Sequence, residues 1–135
     1  MLKLSCTCGR VRIETAQRPD FVHECNCTLC GKSGARWAYL HPSEVTVEGE
    51  TRGFSREDKE DPAAELHFCT TCGVTTHFVL TESAVAKFGN VQMGLNVRLA
   101  DEADLAGIEL RYPDGRAWPG SGPFSYVREA RILGG

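Results

Sequence analysis

Residues 65–80 read ELHFCTTCGVTTHFVL, and this stretch decides the fold. Two strand-like runs, Glu65–Phe68 and Thr75–Leu80, enclose Cys69-Thr70-Thr71-Cys72-Gly73. Strand-formers on both sides of a C-x-x-C step predict strands leading into and out of a knuckle that offers two thiols to one ion. The backbone must turn tightly there, and glycine supplies the positive φ such a turn needs. The same turn aims backbone N–H groups at the sulfurs and so stabilises thiolate charge.

Outward from this element the strand signal continues. Val11-Arg12-Ile13-Glu14-Thr15 alternates apolar and polar residues, the pattern of a half-buried strand. Trp37–Leu40 and Val45–Glu48 read as two more strands, joined by a turn containing His41-Pro42-Ser43. Val85–Phe88 and Gly94–Val97 read as shorter strands, and Ile108–Tyr112 as one ending in the turn Pro113-Asp114-Gly115. A single helix is expected, Asp101–Leu105, with Asp101 as its cap. Ser55–Ala64 (SREDKEDPAA) is charged and contains Pro62, so it reads as an exposed loop between strands. The tail from Pro119 reads as irregular and Gly134-Gly135 as frayed. The fold class expected is mainly β with little helix, as one domain over residues 1–135.

That span of 135 residues suits one domain with a modest core. The net charge of −3 argues against a nucleic-acid partner and against an anionic membrane surface. The N-terminal sequence lacks the apolar run of a signal peptide, and no stretch approaches membrane-spanning length. The expected compartment is the cytoplasm, where thiols stay reduced.

Seven cysteines form three groups: Cys6 and Cys8 as C-x-C, Cys25, Cys27 and Cys30 as C-x-C-x-x-C, and Cys69 with Cys72. An odd count cannot pair completely as disulfides, and clustered thiols in a reduced compartment point to metal. Soft thiolates with a tetrahedral preference suit zinc or an iron–sulfur centre, with zinc the better match. On an extended strand Cys6 and Cys8 would face one side and reach one ion. One partition puts Cys6, Cys8, Cys69 and Cys72 on a closed, structural zinc and leaves Cys25, Cys27 and Cys30 for an open one. A rival partition joins Cys27 and Cys30 to Cys69 and Cys72 as a zinc ribbon, stranding the other three. Spacing favours the first, which gives every cysteine a role.

An open zinc can polarise a ligand, activate water or hold a substrate thiol as thiolate. Three cysteinates already donate much charge, so thiol binding is favoured over water activation, and glutathione is a natural partner. Without metal the same thiols could act as nucleophiles or redox groups. His23 lies two residues before Cys25 and could be a fourth ligand or a donor to one. His67 and His77 read as strand residues beside the knuckle, and His41 as a turn residue.

The chain resembles the glutathione-dependent formaldehyde-activating enzyme family, which includes centromere-protein-V-like domains. The resemblance rests on Ser5-Cys6-Thr7-Cys8-Gly9 with Val11, on Cys25-Asn26-Cys27-Thr28-Leu29-Cys30, and on Phe68-Cys69-Thr70-Thr71-Cys72-Gly73. Asn96-Val97-Arg98-Leu99 with Asp101, and Asp114-Gly115-Arg116 with Trp118, extend it. Gly31-Lys32 and the charged loop 55–64 depart from the family's pattern. The resemblance implies curled antiparallel sheets, a β-tent, around a structural zinc on Cys6, Cys8, Cys69 and Cys72. It implies a catalytic zinc on Cys25, Cys27 and Cys30, and condensation of glutathione with formaldehyde, formally a carbon–sulfur lyase reaction. Asn96 and Arg98 read equally as a strand end or as substrate contacts. The alternative functions are a non-catalytic zinc module for a protein partner, or a thiol redox protein.

Overall fold

A computed structural model describes residues 1–134; Gly135, expected to fray with Gly134, lies outside the described residues. Eleven strands and two short α-helices follow in the order β1 (Leu2–Ser5), β2 (Arg12–Thr15), β3 (Phe21–His23), α1 (Thr28–Ser33), β4 (Trp37–Leu40), β5 (Val45–Glu48), β6 (Thr51–Ser55), β7 (Ala64–Cys69), β8 (Thr75–Leu80), α2 (Glu82–Phe88), β9 (Met93–Asn96), β10 (Glu109–Pro113) and β11 (Tyr126–Ile132). Three short 3-10 turns complete the chain. The fold is mainly β, as expected.

The strands form two open sheets. The smaller runs β1-β2-β5 and the larger β11-β10-β3-β4-β9-β8-β7-β6. All pairings are antiparallel except one: β3 and β10 run parallel, Val22 opposite Leu110. A parallel neighbour needs a long crossover, which no local pattern announces.

The sheets meet over a shared core. Alternation in β1 and β2 turns Leu2, Leu4 and Ile13 inward, where they join Ala38, Leu40, Met93, Leu95 and Leu110. Each such side chain contributes roughly 1.5–3 kcal/mol on burial. A smaller cluster, Ala35, Trp37, Leu66 and Phe78, lies beneath α1 with Leu29, Cys30 and Tyr39 against it.

The structure adds β1, β3 and β6, which the sequence reading lacks, and four further elements differ from it. Val85–Phe88, expected as a strand, belongs to α2, where Thr81 Oγ1 accepts from Ala84 N at 3.2 Å and Gly89 closes the helix. The cap and the Ala-containing interior outweigh the short apolar run. The expected helix at Asp101–Leu105 is a 3-10 turn, Glu102–Leu105, and Asp101 does cap it. The tail is not irregular throughout, because β11 pairs with β10. Finally, α1 stands where only a cysteine motif was read.

Asn96 has a structural role. Its Oδ1 accepts from Arg36 N and Arg98 N, both at 3.2 Å, and its Nδ2 donates to Thr75 O at 2.8 Å. It is buried and ties β9 to β8 and to the chain before β4. Asn96→Ala is expected to cost about 3 kcal/mol, one for each lost bond, read as a lower urea midpoint with an unchanged m-value.

His67 and His77 face each other across β7 and β8, with rings stacked at 4.7 Å. Burial pushes the His77 imidazole down to about 4 from its ordinary 6.5. The unfolded chain therefore takes up this proton near 6.5, while the folded chain resists until near 4. Stability from this residue is complete above pH 6.5 and declines as pH falls through that window. Urea unfolding of the native protein and of His77→Gln, compared between pH 7 and 5, is expected to show a steeper acid loss in the native protein.

Candidate metal centres

Two groups of sulfurs converge. The Sγ atoms of Cys6, Cys8, Cys69 and Cys72 lie within 4.8 Å of one another, as do those of Cys25, Cys27 and Cys30. The ribbon grouping, with Cys27 and Cys30 beside Cys69 and Cys72, is not what the chain assembles.

The four-sulfur group joins the two sheets. Cys6 and Cys8 sit in the connection between β1 and β2, while Cys69 ends β7 and Cys72 lies in the turn before β8. The expectation that C-x-C lies on an extended strand is corrected: β1 ends at Ser5, and Cys8 is within the turn. The two turns close alike. Cys6 N donates to Val11 O and Cys69 N to Val74 O, each at 3.0 Å. Each bond spans five residues, so C-x-C-G-x-V and C-x-x-C-G-V make equivalent knuckles. Gly9 and Gly73 take φ of 79° and 77°, as the knuckle reading requires. Gly31, the third Cys-Gly glycine, is instead part of α1, donating to Cys27 O at 2.7 Å.

Backbone donors serve these sulfurs. Val11 N reaches Cys6 Sγ at 3.2 Å and Thr71 N reaches Cys69 Sγ at 3.4 Å. The Val74 amide holds the Cys72 thiol down to about 6. The Arg10 amide lowers Cys8 likewise. Such N–H groups favour the thiolate form that metal requires.

The three-sulfur group lies between β3 and α1. Cys27 caps α1, its Sγ accepting from Cys30 N at 3.3 Å, and Cys25 Sγ accepts from Cys27 N at 3.5 Å. Bonds from the Cys25 and Cys30 thiols push the Cys27 thiol well down. Those same bonds push Cys25 and Cys30 the other way, since one thiolate opposes a second. A cation is what would let all three ionise.

A distant loop clasps this group. Asn26 Nδ2 donates to Asp114 Oδ1 at 2.9 Å, and Arg116 N donates to Asn26 Oδ1 at 3.0 Å. Between them Gly115 faces Cys25, where a Cβ would stand 2.2 Å from Sγ.

Sequence reasoning missed Glu24. Its carboxylate takes Arg36 at 3.0 Å, Arg98 at 2.9 Å and Arg128 at 3.0 Å. Arg98 thereby fastens the end of β9 to the residue preceding Cys25. No local signal announces this, because the three partners come from three separated segments. His23 is buried next to the trio but belongs to an aromatic group rather than to the sulfurs. Its Nδ1 lies 3.2 Å from Tyr39 Oη, and burial pushes its pKa down to about 4. His41 caps a 3-10 turn, its Nδ1 accepting from Ser43 N at 3.2 Å.

The trio opens into a cavity of about 190 Å³. Trp37, Tyr39, Phe78, Trp118 and Phe124 make most of its walls, and Arg56 and Lys59 from the charged loop stand at its rim. The loop 55–64 thus borders the cavity. Arg56 is held by Asp58 through bonds of 2.6 and 2.5 Å.

Two open sheets with a four-thiol cluster where they meet, and a three-thiol cluster in a cavity, define a protein built to hold thiolate-ligated metal, for which zinc is the fitting ion. The chain belongs to the glutathione-dependent formaldehyde-activating enzyme family, a zinc-binding family, whose match spans residues 1–105. It is also similar to the crystal structure of a Rhodobacter sphaeroides protein, with a TM-score of 0.58 and 25% identity over 79% of this chain and 97% of that one. No curated protein sequence matches it. No helix among the described residues is long and apolar enough to cross a membrane.

Proposed function

We propose that Cys6, Cys8, Cys69 and Cys72 hold a structural zinc, that Cys25, Cys27 and Cys30 hold a second, open one, and that the chain adds a thiol such as glutathione to an aldehyde. In the reaction the family name implies, the product from formaldehyde is S-hydroxymethylglutathione. The reaction is formally that of a carbon–sulfur lyase, and the catalytic centre would be Cys25, Cys27 and Cys30. The observation that carries this reading is that three sulfurs, with no fourth protein ligand beside them among the described residues, line a cavity.

Zinc bound there would supply the charge that keeps a substrate thiol ionised. The chain's own residues supply the rest. Asn26 and the loop 114–116 fix the cysteine loop, and Glu24 with its arginines fixes the chain entering it. Lys59 and Arg56 at the rim present positive charge to the carboxylates of a peptide thiol. The aromatic walls exclude water, which strengthens these interactions. As the S–C bond forms, the carbonyl π bond breaks and the thiol proton ends on the former carbonyl oxygen.

Two-dimensional exchange spectroscopy of glutathione and formaldehyde at equilibrium tests the reading. Zinc-loaded protein is expected to accelerate exchange between free and adduct signals. Exchange at the uncatalysed rate would reject it.

A further inference from the structure

The cavity at the three cysteines is not closed at its far end. Tyr39, Ala63, Ala64, Phe78, Trp118 and Phe124 also line a second hollow of about 620 Å³. That hollow runs outward past Phe21, Leu80 and Tyr126. Together they form one passage, narrow at the sulfurs and wide beyond them. Its walls are aromatic: the Trp118 and Phe124 rings stack at 4.6 Å, and Phe78 lies edge-on to Trp37 at 5.0 Å and to Tyr39 at 6.1 Å.

Formaldehyde has a single carbon and gains almost nothing from such a surface. A ring in the passage would make offset or edge-to-face contacts with several walls at once. The hollow also holds one unanswered polar group. His23 lines it, is 4% exposed, and has no hydrogen-bond partner at Nε2. Buried polar atoms are normally paired, but this nitrogen is itself covered, so recognition in the hollow rests on its rings. Trp118, Phe124 and Tyr126 lie beyond residue 105, where the family match ends. The motifs that carry the family resemblance reach Trp118, whereas Phe124 and Tyr126 stand outside them.

We infer that the aldehyde this protein takes is aromatic, with its carbonyl carbon at Cys25, Cys27 and Cys30 and its ring between Trp118, Phe124 and Phe78. This rests on the thiol-addition reading above and narrows its substrate class. The chemistry balances as before: one S–C bond forms, one carbonyl π bond breaks, and the thiol proton moves to oxygen, with no oxidant or reductant consumed.

The test has two arms on the zinc-loaded protein. In the first, exchange with glutathione is measured for formaldehyde, octanal, benzaldehyde and 4-hydroxybenzaldehyde. Acceleration over the uncatalysed rate is expected to be tenfold or more greater for the aromatic pair than for formaldehyde, the order of discrimination a shaped apolar pocket achieves. Phe124→Ala and Tyr126→Ala are expected to bring that ratio toward one. Tyr126 is half exposed on an edge strand, so its truncation leaves the fold intact even if Phe124→Ala does not. In the second arm, saturation-transfer NMR with unreactive benzyl alcohol reads binding alone, with signal expected from the native protein and lost in both variants. Acceleration of formaldehyde exchange with no benzyl alcohol signal would overturn this inference and leave thiol addition standing. A benzyl alcohol signal with no aldehyde accelerated would overturn thiol addition itself. A preference for octanal, or equal acceleration of all four aldehydes, would overturn the aromatic assignment.

Discussion

Cys69→Ser and Cys72→Ser are expected to leave the chain largely unfolded at room temperature, whereas Cys27→Ser folds. The first two remove a ligand from the cluster that spans both sheets. Structural zinc binding in small domains is worth about 10–16 kcal/mol. Net domain stability is only about 5–15 kcal/mol, so weakening that site removes a share comparable to the whole. The loss is structural because Cys6 and Cys8 come from the small sheet and Cys69 and Cys72 from the large one. Without the ion the sheets are held by the Leu2, Leu4 and Ile13 contacts and by the link from β5 to β6. Cys27 differs because its ligand group lies within six consecutive residues, Cys25 to Cys30, and joins no separate sheets. Serine there still caps α1, since Ser is among the preferred N-cap residues. Circular dichroism melting with zinc analysis checks this: no cooperative transition for the Cys69 and Cys72 variants, and a native-like transition with one zinc for Cys27→Ser. Equal melting losses in both classes would sink this division of labour. Chelation is expected to follow the same logic, with the second ion leaving first and the fold failing only with the other.

Gly115→Ala is expected to abolish the second centre while sparing the first. The added Cβ would fall 2.2 Å from Cys25 Sγ, closer than atoms can approach, and a tight 3.3 Å from Cys27 Cβ. Either the loop 114–116 lifts, breaking the Asn26 bonds, or the Cys25 sulfur moves off its partners. Gly115 is not among the glycines with positive φ, so alanine meets no backbone obstacle and the effect is steric. Overpacking of this kind costs about 1–3 kcal/mol, which leaves the domain folded. A displacement near 1 Å at a reacting centre costs about a hundredfold in rate. The expected outcome is one zinc per chain instead of two, a melting point a few degrees lower, and exchange activity down a hundredfold or more. Two zincs with full activity would show that the approach of this loop does not matter.

Much of this was legible in the chain. The strands Trp37–Leu40, Val45–Glu48 and Thr75–Leu80 appear with the bounds their composition indicates, because enrichment in β-branched and aromatic residues is a local property. β1 carried an alternating signal in Leu2-Lys3-Leu4-Ser5, which the neighbouring cysteines overshadowed. α2 was readable from Thr81 and Gly89, whose capping chemistry outweighs the short run Val85–Phe88. β11 was not readable. All seven of its residues are exposed, and its strand state comes from β10 beside it.

The sequence by itself determined that this is a β-rich thiolate protein and that Cys69 and Cys72 share a knuckle. Spacing within a turn is covalent geometry, and residues two or three apart cannot avoid one another. Only the tertiary structure decided what surrounds them. Gly115 lies 90 positions from Cys25, the arginines of Glu24 come from three places, and the loop 55–64 reaches the cavity rim because β6 and β7 pair at the sheet edge. Such contacts depend on sheet order, which is set by the burial of the whole core and written in no single segment.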